Sequence, residues 1–118
     1  GAVENVAALT PADGRRRSPR FYPENFARNA RLLEELEKIA GAKQCTFAQL
    51  SLAWILHQGD FFVPIPGTLS TDHLEENVQA TDVVLSAKDL SAIGRLFPQS
   101  GAAAGARHDK DRSHELNI

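Results

Sequence analysis

Phe61-Phe62-Val63-Pro64-Ile65-Pro66-Gly67-Thr68, followed by Leu74-Glu75-Glu76-Asn77, is the stretch on which the fold turns. Residues 61–65 are apolar at nearly every position. That pattern suits a strand covered on both faces, as in parallel α/β sheets, where neither face meets water and alternation disappears. Pro64 and Pro66 each lack a ladder N–H, which makes the strand short and its end unusual. A tight turn then leads into a helix whose first turns carry polar groups, a layout that can hold an anionic cofactor.

Working outward, a helix is expected from Pro23, a residue suited to a first turn, to about Gly41. Phe26, Ala30, Leu33 and Ala40 keep helical spacing, Leu36 and Ile39 widen the stripe, and Glu34 with Lys38 makes a favourable i,i+4 pair. A second helix opens at Thr46, which stands in capping-box spacing with Gln49. Its expected core face is Leu52, Ala53, Ile55 and Leu56, with Trp54 at the edge and Gly59 as the stop. A third helix starts at Ser70 or Thr71 and runs to about Ala80. Ser86 and Asp89 announce a fourth, carrying Leu90, Ile93 and Leu96 and ended by Pro98. Residues 1–22 read as an irregular loop region with a basic run at Arg15-Arg16-Arg17. Such a run is ordinarily solvated, with a phosphate contact as the alternative. Residues 98–118 read as a tail rich in Gly, Ala and charge.

Composition bounds the function. The chain has 118 residues, 42% hydrophobic and 24% charged, and a formal net charge of −2. That charge gives no long-range pull toward nucleic acid or anionic lipid. No apolar run approaches a membrane span and no signal peptide is visible, so a cytoplasmic home is the simplest expectation. The one cysteine, Cys45, forms no intrachain disulfide and no Cys-based zinc site, and no metal site is expected. There is no methionine, hence no initiator, which fits a chain that starts in the middle of something larger. Four helices and one strand are an awkward count, because a doubly covered strand needs parallel neighbours. A whole (β/α)8 barrel takes about 250 residues. The expectation is therefore the C-terminal part of an α/β protein, mostly helical in isolation with one clear strand.

Thr46-Phe47-Ala48-Gln49-Leu50 through Ala53-Trp54, then Val63-Pro64-Ile65-Pro66-Gly67-Thr68, then Leu74-Glu75-Glu76-Asn77 closely resemble the C-terminal third of the aldo-keto reductases. Leu85-Ser86-Ala87-Lys88-Asp89-Leu90 resembles the helix that follows in that family. Arg20-Phe21 with Glu24-Asn25-Phe26, and the late Gly105-Ala106-Arg107, resemble its bacterial and plant branch. The resemblance implies a (β/α)8 TIM barrel that uses NADPH to reduce a small aldehyde or ketone, with residues 23–97 as its C-terminal βα portion and 61–65 as its last strand. It also implies that Ile65, Pro66, Gly67, Thr68, Leu69 and Ser70 form the turn that holds the cofactor phosphate. Position 73, here His73, would help grip the phosphate or ribose. Glu76 and Asn77 would hydrogen-bond the adenine edge, and Leu74 and Val78 would pack on the flank.

The sequence departs from the family in two places. Many relatives place Lys or Arg directly after the Pro-Gly-Thr turn and Arg or Tyr at position 73; this chain has Leu69-Ser70-Thr71-Asp72 and His73. Neutral histidine cannot match the charged fork of arginine. NADP remains the expected cofactor and NAD becomes more plausible than for a typical member, with Arg15 or Arg17 able to swing in. The second departure is catalytic. The family's tyrosine, lysine, aspartate and histidine belong to earlier strands, so no catalytic residue is expected here. The one tyrosine, Tyr22, reads as a packing or loop residue. His57, His108 and His114 have no catalytic or metal spacing. Cys45, just before a helix start, reads as a buried inert thiol although such a place can stabilise a thiolate.

The alternative is a small helical binding or assembly module. Residues 32–56 loosely mimic a helix-turn-helix, yet the second helix exposes Gln49, Ser51 and His57 and no basic residue, so no nucleic acid is expected. An unpaired apolar strand would also seek sheet edges, which favours self-association.

Overall fold

The computed structural model describes residues 3, 5–98 and 101–107. Three short 3₁₀ turns, Val6–Ala8, Gly14–Arg17 and Pro19–Phe21, precede four helices: α1 (Pro23–Ala42), α2 (Phe47–Leu56), α3 (Thr71–Gln79) and α4 (Ala87–Leu96). A further 3₁₀ turn, Ala80–Asp82, continues α3. Contacts divide the chain into two compact units. One is Glu35–Leu96; the other comprises the described residues of Gly1–Glu34 and Phe97–Ile118.

Among the described residues there is no strand. Phe61 to Ile65, expected as a doubly covered strand, is irregular and solvent-facing: Phe61 is 97% and Ile65 92% exposed. The reason is the one that made the strand awkward in sequence. Ladder hydrogen bonds and two covering faces must come from neighbours, and none of the described segments supplies a partner strand. The helices need no such partners, because their backbone bonds close within each segment.

The helix boundaries follow local chemistry. Thr46 Oγ1 accepts from the Gln49 N–H at 3.1 Å and the Thr46 N–H donates to Gln49 Oε1 at 3.0 Å, the full reciprocal capping box. Asp89 and Ser86 reciprocate at the start of α4: the Asp89 N–H donates to Ser86 Oγ and the Ser86 N–H to Asp89 Oδ2. Helix α1 runs one residue beyond Gly41. Its end is a Schellman motif in which the Cys45 N–H reaches the Ala40 carbonyl and the Gln44 N–H the Gly41 carbonyl, both at 3.1 Å. Gln44, not a glycine, takes the left-handed position with φ +54°. On the exposed side of α1, Lys38 pairs with Glu35 at 2.6 Å rather than with the expected Glu34.

Among the described residues the buried apolar ones, Leu36, Ala40, Leu50, Ala53, Ala80, Leu85 and Ile93, all lie in the Glu35–Leu96 unit. Helix α2 packs on α3 and on the 3₁₀ turn after it. Its buried face is Gln49, Leu50 and Ala53, rotated from the expected Leu52, Ala53, Ile55 and Leu56; Leu56 is exposed. Thr46 and Gln49 set this rotation, because Gln49 has to serve both the cap and the neighbouring helix. Trp54 is half-buried, consistent with an edge.

The other unit is held by polar bonds. The Ala104 N–H donates to Asn29 Oδ1 at 2.7 Å, Asn29 Nδ2 returns to the Ala104 carbonyl at 3.0 Å, and Asn25 Nδ2 donates to the Pro19 carbonyl at 2.8 Å. Gly105 lies at φ +86°, and a Cβ there would come within 2.7 Å of the Pro19 carbonyl oxygen. A side chain is excluded both sterically and conformationally. The tail expected over 98–118 falls, at residues 99–100 and 108–118, outside the described residues, as do His108 and His114.

Candidate functional site

Residues 65–77 are built around the N-terminus of α3. Thr68 Oγ1 accepts from the Ser70 N–H at 3.1 Å, and Ser70 Oγ accepts from the His73 N–H at 3.3 Å. The Leu74 N–H closes onto the Ser70 carbonyl at 3.0 Å. Ser70 is thus an N-cap, and two hydroxyls fix the path from Gly67 into the helix. Capping uses the third and fourth N–H groups. Those of Thr71 and Asp72 make no hydrogen bond among the described residues, so they stay open toward solvent at the positive end of the helix dipole. Asp72 places a carboxylate in the same turn and offsets part of that field.

Of the residues expected to form this site, Thr68 and Ser70 come together as described. Ile65, Pro66, Gly67 and Leu69 form the exposed approach, and His73 lies exposed on the first turn of α3. Gly67 has open space where a Cβ would stand, so the turn does not depend on glycine here. Glu76 and Asn77 are half-buried one turn further on, on the face they share with His73. Leu74 and Val78 do not pack: they are 53% and 62% exposed, since no described element covers that flank.

Gln49 and Lys43 carry roles that their sequence positions did not announce. Gln49 Nε2 donates to the Glu76 carbonyl and to Gln79 Oε1, both at 3.2 Å, while its Oε1 holds the cap of α2. One buried amide therefore ties α2 to the helix that bears the candidate site. Lys43 Nζ pairs with Asp89 Oδ2 at 2.5 Å and donates to the Val84 carbonyl at 3.2 Å. The Lys43 ammonium, with Ser86, holds the Asp89 carboxyl down at about 2. The only local signal for the Gln49 tie was a polar residue one turn before the buried Ala53. Nothing local pointed from Lys43 to Asp89.

The remaining candidates are quiet. Arg15 is engaged within its own loop by Asp13 at 2.7 Å, which lowers the Asp13 carboxyl to about 2. Cys45 is half-buried rather than buried; desolvation pushes its thiol up, away from thiolate reactivity. His57 Nδ1 lies 2.8 Å from the Ala53 carbonyl and extends the end of α2. Tyr22 is exposed. Among the described residues no group of three or more His, Cys, Asp or Glu could hold a metal, and no helix is long and apolar enough to cross a membrane.

The aldo/keto reductase family model matches residues 4–97. The chain is 42% identical over 114 residues to "Probable aldo-keto reductase 1" of Glycine max, a match covering 97% of this chain and 32% of that protein. It is 43% identical over 108 residues to "Aldo-keto reductase yakc", qualified NADP(+), of Schizosaccharomyces pombe, covering 92% of this chain and 32% of that protein. The chain thus spans about a third of the length of the curated relatives it matches. No solved structure matches it.

Proposed function

The chain belongs to the aldo/keto reductase family, and from that premise we propose that it forms the C-terminal βα portion of an NADP-dependent reductase barrel and contributes part of its dinucleotide site. The whole protein transfers hydride from NADPH to a small aldehyde or ketone. Residues 23–97 form that portion, between a loop region at 1–22 and a tail at 98–118. Residues 61–65 take up strand structure once neighbouring strands are present. Thr68, Ser70 and the open N–H groups of Thr71 and Asp72 meet the cofactor phosphate, His73 assists at its edge, and Glu76 and Asn77 meet the adenine. Ile65, Pro66, Gly67 and Leu69 form the wall of the approach. The chain brings no catalytic acid; Tyr22 is a loop residue.

The observation that carries this reading is the capped start of α3, with two unspent N–H groups directly after the Pro-Gly-Thr turn. Such a helix end favours an anion with no basic side chain. The absence of Lys or Arg at 69–73 predicts that NADPH binds more tightly than NADH, but by a smaller margin than a basic residue there would give. Titration of the 118-residue chain with each nucleotide, followed by ¹H–¹⁵N spectra, should shift resonances within 65–77 for both. A silent segment at millimolar nucleotide would refute the site. Incubation with NADPH and 4-nitrobenzaldehyde should give no turnover, and clear activity would overturn the assignment of catalysis to residues outside this chain.

Assembly is the second reading, and the exposure of Phe61, Val63, Ile65 and Leu69 favours it. These apolar groups gain by being covered. Sedimentation should show association that is relieved by polar substitutions at Phe61 and Ile65; a monomer at high concentration counts against it.

A further inference from the structure

Asn5, Val6, Arg16, Phe21, Tyr22 and Phe26 line a cavity of about 490 Å³ in the unit that contains the N-terminal 3₁₀ turns. None of them belongs to the proposed dinucleotide site. Its volume is in the range of small-molecule sites, about 300–1,000 Å³. The walls are chemically one-sided. Phe21 and Phe26 stand with centroids 6.1 Å apart at 31°, a tilted pair, and Tyr22 also lies on the lining. The Phe26 N–H bonds the Tyr22 carbonyl at 2.7 Å, anchoring the aromatic residues to the first turn of α1.

Among the described lining residues Arg16 is the charged one. Arg16 Nη1 donates to the Leu9 carbonyl at 2.8 Å, which orients the guanidinium and leaves its Nε and Nη2 hydrogens without an acceptor among the described residues. Neighbouring Arg15 is already neutralised by Asp13, and among the described residues no acidic one lines the cavity. A guanidinium positioned through one arm presents the others to a carboxylate, and the rings accept a flat apolar body.

We propose that this cavity is a binding site for a small aromatic carboxylate, held by Arg16 through the carboxylate and by Phe21, Tyr22 and Phe26 through the ring. The probe is 2-naphthoate, titrated into the 118-residue chain with ¹H–¹⁵N detection. Shifts should concentrate at residues 5–7, 16 and 21–26. Naphthalene-2-carboxamide, of the same shape but uncharged, and acetate, charged but without the ring, should each bind about tenfold or more weakly. Arg16→Gln should weaken 2-naphthoate by a similar factor, and Arg17→Gln, an equal change of net charge, should leave it unaltered. Equal binding of the carboxamide or of acetate, equal loss in both arginine variants, or shifts centred elsewhere would each overturn the proposal. The probe comparisons on the unmodified chain decide the matter even if Arg16→Gln perturbs the loop.

Discussion

Replacing Gly105 by alanine tests whether the late Gly-Ala-Arg motif is there for a backbone reason. The new Cβ would stand 2.7 Å from the Pro19 carbonyl oxygen and 2.8 Å from Asn25 Nδ2. The first contact is with backbone, so no side-chain rotation relieves it. The left-handed φ of +86° adds roughly 1–2 kcal/mol for any L-residue with a Cβ. Moving residue 105 away drags Ala104 out of its paired bonds with Asn29, at 2.7 and 3.0 Å. Each such bond contributes about 0.5–1.5 kcal/mol. The local closure should therefore lose about 2–5 kcal/mol, which is roughly 30- to 5,000-fold in the opening equilibrium. Native-state hydrogen exchange at the Ala104 amide reads this directly, because its protection comes from Asn29 Oδ1. The expected result is exchange accelerated by that factor, or to the unprotected rate where that is reached first, while amides of α2 and α3 keep theirs. Unchanged protection at Ala104 in Gly105→Ala would refute the reasoning.

Three further perturbations probe the other unit. Asp89 has its carboxyl lowered to about 2 by Lys43 and Ser86, so the sign is that of a depressed acid. Its contribution is fully present above the unfolded carboxylate value and is lost as pH falls through about 2. Lys43→Ala should move the Asp89 carboxyl upward in a ¹³C-detected titration and make acid unfolding begin at higher pH; an unmoved titration would remove Lys43 as the cause. Leu50, 1% exposed, should cost about 2–5 kcal/mol as Leu50→Ala. Ile65→Ala, at a position 92% exposed, should stay within about 0.5 kcal/mol by denaturant unfolding. A large loss at Ile65 would mean that residues 61–65 are packed in the isolated chain.

The helix ends were legible because their determinants are a few residues apart. Thr46 with Gln49 and Ser86 with Asp89 each satisfy orphan N–H groups within one turn, and each pair is found bonded, while Ser70, expected at the start of α3, caps the His73 N–H. The direction that α2 faces was not legible. Apolar spacing pointed to Leu52, Ile55 and Leu56, but Gln49 also bonds across to Glu76 and Gln79, and those bonds require Gln49 on the buried side. The same limit hid the Lys43–Asp89 pair, whose partners are 46 positions apart. The candidate residues on α3 stand out as one segment, since Thr68, Ser70, His73, Glu76 and Asn77 lie within ten residues.

The sequence by itself determined family membership and the placement of four helices, because family motifs are ordered along the chain and helical hydrogen bonds close within a segment. The tertiary structure alone decided three matters. It set which faces are buried, fixed Gly105 as a steric requirement, and left residues 61–65 irregular. The physical reason is common to all three. An apolar run such as Phe61-Phe62-Val63-Pro64-Ile65 states a preference for cover, while a strand exists only when other strands complete its hydrogen bonds.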